Sequence, residues 1–185
     1  MKSSFLILFA LCVFLTGDVV KKNKIPALIT TKNFLKEQNH RLLYNILNQD
    51  EVKTQQYLEK IDNGLDRLVF VDIKNQRLTL VSLVDTFKIS LRTTISSGKK
   101  KDSTPRGSFK ILKKRIARPS KKYGGVMTFW NCLTLDESIG IHGLRDRSYE
   151  SKLGEPVSHG CIRISKSVEK DFYKLAPIGT EVLIE

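Results

Sequence analysis

Cysteine is scarce in this chain. Cys12, Cys132 and Cys161 are the only three in 185 residues, so a framework of several disulfides is excluded. Long apolar runs are scarce too. The longest, Phe5 to Leu15, spans eleven residues, which is short of a bilayer crossing, and nothing downstream approaches it. Acidic residues are in deficit, with 19 Asp and Glu against 32 Lys and Arg and a net charge of +13. Internal repeats, low-complexity tracts and nucleic-acid-binding signatures are absent, which argues against a solenoid, a disordered tail and nucleic acid as the partner of the positive charge.

What is present begins with an export signal. Lys2 precedes the Phe5–Leu15 run and Thr16-Gly17 follows it, the order of a secretory signal peptide over residues 1–17 with cleavage after Gly17. Two fates remain open: removal, which leaves no membrane span and lowers the net charge from +13 to +12, or retention as an N-terminal anchor. Either predicts an exported, periplasmic or cell-wall-associated protein. A basic exported protein meets anionic surfaces, though most of these lysines read as a solvated face. With 41% hydrophobic residues, the remaining chain is long enough for one folded domain with a real core.

Residues 18–64 read as a helical segment. Phe34, Leu35, Leu42, Leu43, Ile46 and Leu47 recur at three- and four-residue spacing, a break falls near Asn48-Gln49-Asp50, and Asn63-Gly64 ends the pattern. From Leu65 the period changes to two. Leu68–Ile73 and Leu78–Val84 read as a hairpin, Phe87–Ile95 as a third strand, and Ser108–Leu112, Met127–Leu135, Ile139–His142 and Glu181–Ile184 as further strands. Gly143 to His159 reads as a charged loop. Lys166–Leu175 has helical spacing with Ser165 or Ser167 available as its cap. The prediction is a mostly β domain over residues 65–185, closed or sandwich-like, with one short helix near the C-terminus.

The chemistry gathers at Ser158-His159-Gly160-Cys161-Ile162-Arg163. A nucleophilic cysteine needs a base, a group to orient that base and donors for an oxyanion. His142 ends a predicted strand, and the carbonyl of Gly143 can orient its imidazole. His159 is a second candidate base, two residues from Cys161 and on the same face of an extended chain. Gly160 admits close approach of substrate, and the N–H groups of Gly160 and Cys161 suit an oxyanion hole. Arg163 shares the face of Cys161 and suits a substrate carboxylate. Two competing readings use the same residues: a Cys132–Cys161 disulfide, and a zinc site built from Cys161 and the two histidines.

His-Gly, fifteen residues, then Ser-His-Gly-Cys, a hydrophobic residue and Arg resembles the signature of the L,D-transpeptidases with a YkuD-type catalytic domain. The resemblance extends to Asp72–Leu80, to Ser96-Ser97-Gly98-Lys99 with Thr104–Phe109, and to Leu175–Val182, so it covers the chain from about Leu65 onward. It implies a YkuD-like β-sandwich or barrel and acyl transfer in peptidoglycan, with peptidoglycan stem peptides as partners and no metal or organic cofactor. Carried over, Cys161 attacks the position-three carbonyl of a tetrapeptide stem and D-alanine leaves. An amine on another stem or on an acceptor protein resolves the thioester. His142 serves as base, oriented by Gly143, while Ser158, His159, Gly160 and Arg163 line the substrate site. A carbapenem is expected to acylate Cys161. Two alternatives stay open: an L,D-carboxypeptidase using water as acceptor, and a non-catalytic wall-binding protein that keeps the fold.

Overall fold

The structure, a computed structural model, describes residues 33–83, 87–120 and 124–185. The expected signal peptide over 1–17, Cys12, the start of the helical segment and Val84 lie outside the described residues. The chain divides into two compact units, Met1–Glu37 and Gln38–Glu185. Of the first, the described part is residues 33–37, the beginning of helix α1, which runs over 33–46.

The predicted helix break is real. Asn48 and Gln49 adopt left-handed backbone, with φ of 55° and 64°, and end the first helix. Asp50 then caps helix α2, Glu51–Asp62, by accepting from the Lys53 N–H at 3.0 Å. Asn63 and Gly64 stop it, Gly64 with a φ of 96°.

Among the described residues nine strands follow: β1 Arg67–Asp72, β2 Arg77–Leu83, β3 Phe87–Ser96, β4 Gly107–Lys110, β5 Lys113–Pro119, β6 Val126–Cys132, β7 Gly140–Gly143, β8 Ile162–Ile164 and β9 Glu181–Ile184. Helix α3, Glu169–Leu175, lies between the last two. The strands form one sheet in the order β4-β9-β1-β2-β3-β8-β7-β6-β5. Laid flat at about 4.8 Å per strand, its two edges would stand about 38 Å apart. Yet only Ile111 and Leu112 separate the edge strands β4 and β5 in the chain, a reach of about 10 Å. The sheet therefore curls until its edges approach. The Ile111 N–H donates to the Thr180 carbonyl beside β9, and the Leu112 N–H to the Cys132 carbonyl on β6.

Two cores lie on the two faces of this sheet. Val69 and Val71 of β1, Leu78 and Leu80 of β2, and Val182 and Ile184 of β9 point inward with Ile95, Ile111, Ile141, Ile162, Ile164 and Phe172. The alternate residues Leu68, Phe70 and Leu183 point outward, onto Leu43, Ile46, Tyr57 and Leu58 of the two helices and Leu47 of the turn between them. That is why β1 reads as a continuous apolar run: it is buried on both faces. Each such side chain contributes about 2 kcal/mol by leaving water.

Three readings need correction. Strand β4 ends at Lys110, and a separate strand, β5, occupies Lys113–Pro119 where none was expected. The loop after Gly143 contains a 3-10 turn, Arg147–Lys152, capped by Asp146, which accepts from the Ser148 N–H at 2.9 Å. Neither Ser165 nor Ser167 caps α3, because Val168 occupies that position without a side-chain bond. The Ser165 hydroxyl is committed elsewhere, donating to Glu150 Oε1 at 2.9 Å and accepting from the Ser167 N–H at 3.1 Å.

Candidate active site

Strands β7 and β8 run parallel in the register Ile141–Ile162, His142–Arg163 and Gly143–Ile164. The two isoleucines enter the inner core, so His142 and Arg163 stand side by side on the opposite face. Cys161, just before β8, shares that face. His142, Ser158, His159, Cys161 and Arg163 line one cavity of about 700 Å³ with Arg118, Glu137, Ser138, Ile139 and Tyr149.

His142 is 7% exposed, and its Nδ1 donates to the Gly143 carbonyl at 2.6 Å. A carbonyl only accepts, so the proton sits on Nδ1 and the lone pair is left on Nε2. Burial pushes the imidazole down to about 4; the Gly143 bond opposes this, and the charges of Arg163, Lys166 and Arg118 add to it. The ring lies against Trp130, centroids 5.7 Å apart at 32°, and the Arg118 guanidinium covers the same indole at 4.4 Å.

Gly143 has a second constraint. An added Cβ would fall 1.4 Å from Glu169 Oε2 and 2.8 Å from Thr128 Oγ1. Glu169, 7% exposed, accepts from Thr128 at 2.6 Å and pairs with Lys166 at 3.3 Å. This buried polar group packs directly behind the carbonyl that orients His142, and only glycine leaves room for it.

The Cys161 thiol donates to the Ser138 carbonyl at 3.5 Å. Burial pushes the thiol up, opposed by the Gly140 N–H and by Arg118 and Arg163. Both members of the resting pair are therefore neutral: thiol and imidazole, not thiolate and imidazolium. Cys132 is fully buried, donates to the Thr134 carbonyl at 3.2 Å, and like Cys161 is a free thiol. Among the described residues no group of three or more His, Cys, Asp or Glu gathers as a metal-binding set.

The loop carrying Cys161 is pinned from several sides. Ser158 is fully buried, and its Oγ donates to the Cys161 carbonyl at 2.5 Å while accepting from the Gly160 N–H at 3.1 Å. The Gly160 N–H is thus already engaged, which removes one of the two oxyanion donors suggested by the sequence. Thr104 Oγ1 donates to the Gly160 carbonyl at 2.7 Å and accepts from the Gly98 N–H at 2.8 Å. The Ser158 N–H donates to the Ser97 carbonyl at 2.9 Å, and Gln76 clamps Ser97 through two bonds of 2.7 and 2.8 Å. The Ser96–Lys99 and Thr104–Phe109 stretches, noted in the sequence without a role, hold the cysteine loop in place.

Arg163 is half-buried, and burial pulls it below its ordinary value; the Cys161 and Tyr149 side chains oppose this, and no carboxylate of the described residues is among the groups acting on it. His159 is exposed at the cavity wall. All the sequence-predicted site residues thus fall in one place. Sequence reasoning missed Arg118, Trp130, Glu137, Ser138, Thr104 and Glu169, which reach the site from other strands, from loops and turns and, for Glu169, from the start of helix α3.

Residues 66–184 match the model of the YkuD family, the L,D-transpeptidase catalytic domain. The chain belongs to this family. YqjB, a candidate L,D-transpeptidase of Bacillus subtilis (strain 168), is 29% identical over 124 residues, 60% of this chain and 69% of its own. YkuD, a candidate L,D-transpeptidase of Bacillus licheniformis, is 33% identical over 102 residues, 55% of this chain and 53% of its own. A solved L,D-transpeptidase from Mycobacterium smegmatis superposes with a TM-score of 0.57 at 21% identity, covering 66% of this chain and 59% of that one. The YkuD domain here thus spans a little over half the length of two of these three relatives. Among the described residues no helix is long and apolar enough to cross a membrane.

Proposed function

We propose that the YkuD domain acts as a peptidoglycan L,D-transpeptidase with Cys161 as nucleophile, in an exported protein whose residues 1–17 are the signal and whose catalytic domain is 65–185. The observation that carries this reading is the pairing of an imidazole whose Nδ1 is bound to Gly143 with a thiol in the same 700 Å³ cavity. Only Nε2 of His142 is left to take a proton.

The donor stem enters with a carboxylate toward Arg163, whose half-buried guanidinium has no carboxylate partner among the described residues and gains one on binding. The Cys161 thiol turns from the Ser138 carbonyl and passes its proton to His142 Nε2 as Sγ attacks the position-three carbonyl carbon. Because the resting pair is neutral, transfer accompanies attack. The C–N bond to D-alanine then breaks, and His142 returns the proton to the departing amine. An acceptor amine attacks the thioester, His142 takes its proton, and the thiol is restored by that proton as the new amide forms.

The test is mass spectrometry of products formed from purified disaccharide-tetrapeptide. Dimers joined through two position-three residues are the expected result, and a Cys161→Ala variant yields none. Tripeptide without dimers identifies water as the acceptor and favours the carboxypeptidase. Unchanged substrate with the wild-type protein overturns the proposal.

A further inference from the structure

The turn that holds the resting thiol is tied to strand β5 by one carboxylate. Glu137 sits in the turn between β6 and β7 with left-handed backbone, φ 56°, which is uncommon outside glycine and asparagine. Lys113 Nζ meets its Oε1 at 2.9 Å, Arg115 its Oε2 at 3.1 Å, and Arg118 Nε its Oε2 at 3.7 Å. Arg118 also donates to the Glu137 carbonyl at 2.9 Å, so side chain and backbone are gripped together. These cations hold the carboxyl below the usual carboxylate range, Lys113 foremost, against partial burial. The rest of the turn is internally bonded: the Ser138 N–H donates to Asp136 Oδ1 at 3.1 Å, and the Ile139 N–H to Thr134 Oγ1 at 3.1 Å.

Two lines lead from Glu137 to the reacting pair. The next residue, Ser138, presents the carbonyl that accepts the Cys161 S–H. On the other side, Arg118 covers Trp130, and Trp130 backs the imidazole of His142. Glu137 thus fixes what the thiol rests on and, through a guanidinium and an indole, what the base rests on. Its strained backbone is kept where an over-determined contact network supports it.

We propose that Glu137 is a positioning residue for the Cys161–His142 pair: held by Lys113, Arg115 and Arg118, it sets the Ser138 carbonyl that parks the neutral thiol and the Arg118–Trp130 stack behind the imidazole. This rests on the assignment of Cys161 as nucleophile. Loss of the carboxylate has two opposite consequences. The Ser138 carbonyl is no longer held against the thiol, and the charge of Arg118 is no longer compensated, so the thiolate forms more readily. At the same time the imidazole loses its backing, so productive proton transfer slows.

The test compares Glu137→Ala and Glu137→Gln with the wild type. Alkylation of Cys161 by iodoacetamide is followed across pH 6–10, beside kcat and KM for acyl transfer. In both variants the thiol titration is expected to move down, with alkylation at pH 7 about threefold faster, because the thiolate fraction sets the rate. In Glu137→Ala, kcat falls about tenfold with KM within about twofold, and Glu137→Gln, which keeps an oxygen acceptor, recovers part of that loss. An unchanged alkylation profile in a variant whose Cys132 stays unlabelled overturns the proposal. So does labelling of Cys132 in both variants, which assigns Glu137 to folding alone. A wild type that alkylates at Cys161 but transfers no acyl group counts against the proposed function, while the alkylation profiles still decide the role of Glu137.

Discussion

Burying a neutral histidine makes stability depend on acidity. The imidazole of His142 binds its proton near 6.5 in the unfolded chain but only at about 4 in the folded one. Between those values the unfolded state carries the extra proton. The stability due to the neutral ring is therefore complete above 6.5 and is lost as pH falls through 4. The gap corresponds to about 3 kcal/mol, of which about 2 kcal/mol is lost between pH 7 and pH 5. The comparison is made against His142→Gln, in which every other titrating group is unchanged. Urea denaturation at pH 7 and pH 5 is expected to show the wild type losing about 2 kcal/mol more than the variant. Equal losses in the two proteins would refute the claim that burial, with Arg163, Lys166 and Arg118 nearby, sets the state of this ring.

The same ring predicts an acid limb of kcat/KM near pH 4, because only neutral His142 accepts the thiol proton; a limb near 6.5 would mean another base. Gly143→Ala places a methyl group 1.4 Å from Glu169 Oε2 and is expected to cost about 2 kcal/mol in urea denaturation as well as turnover; wild-type stability would contradict the close packing. Gly160 has a φ of 109°, and an added Cβ would lie 2.9 Å from Ile139, so Gly160→Ala is expected to cost about 1–3 kcal/mol, and a neutral result would show that the loop relaxes freely. Iodoacetamide is expected to modify Cys161, which lines the cavity, at least about 100-fold faster than the fully buried Cys132; equal rates would show that the protein opens around Cys132.

The part of the site readable in the sequence is the part built locally. His142-Gly143 lie on β7, and Ser158 to Arg163 on the start of the parallel strand β8 and the short loop leading into it, so period-two reasoning links Cys161 to Arg163 across the start of β8. The central strands were legible because burial of one or both faces leaves an apolar pattern, as in Leu68 to Val71. Strand β5 was not, because it is an edge strand whose residues face solvent or ion pairs: Lys113-Lys114-Arg115-Ile116-Ala117-Arg118 carries no alternation to find. Its lysines and arginines read as a solvated face. In the fold, three of them grip Glu137, and Lys114 lies over the Tyr173 ring and donates to the Ala176 carbonyl at 2.6 Å, closing the end of α3. Charge in a sequence does not announce its partner. Thr104, Glu169 and Gln76 escaped for the same reason, since each acts on the site across a long span of chain.

The central claim is that Cys161 carries the acyl group. Wild-type protein mixed with disaccharide-tetrapeptide, quenched in acid within the first turnover and mapped by peptide mass spectrometry, tests it most directly. The account predicts a tripeptide-stem adduct on the peptide containing Cys161, absent in Cys161→Ser and lost on treatment with hydroxylamine. Product formation with Cys161 unmodified, or with the adduct on another residue, would contradict it.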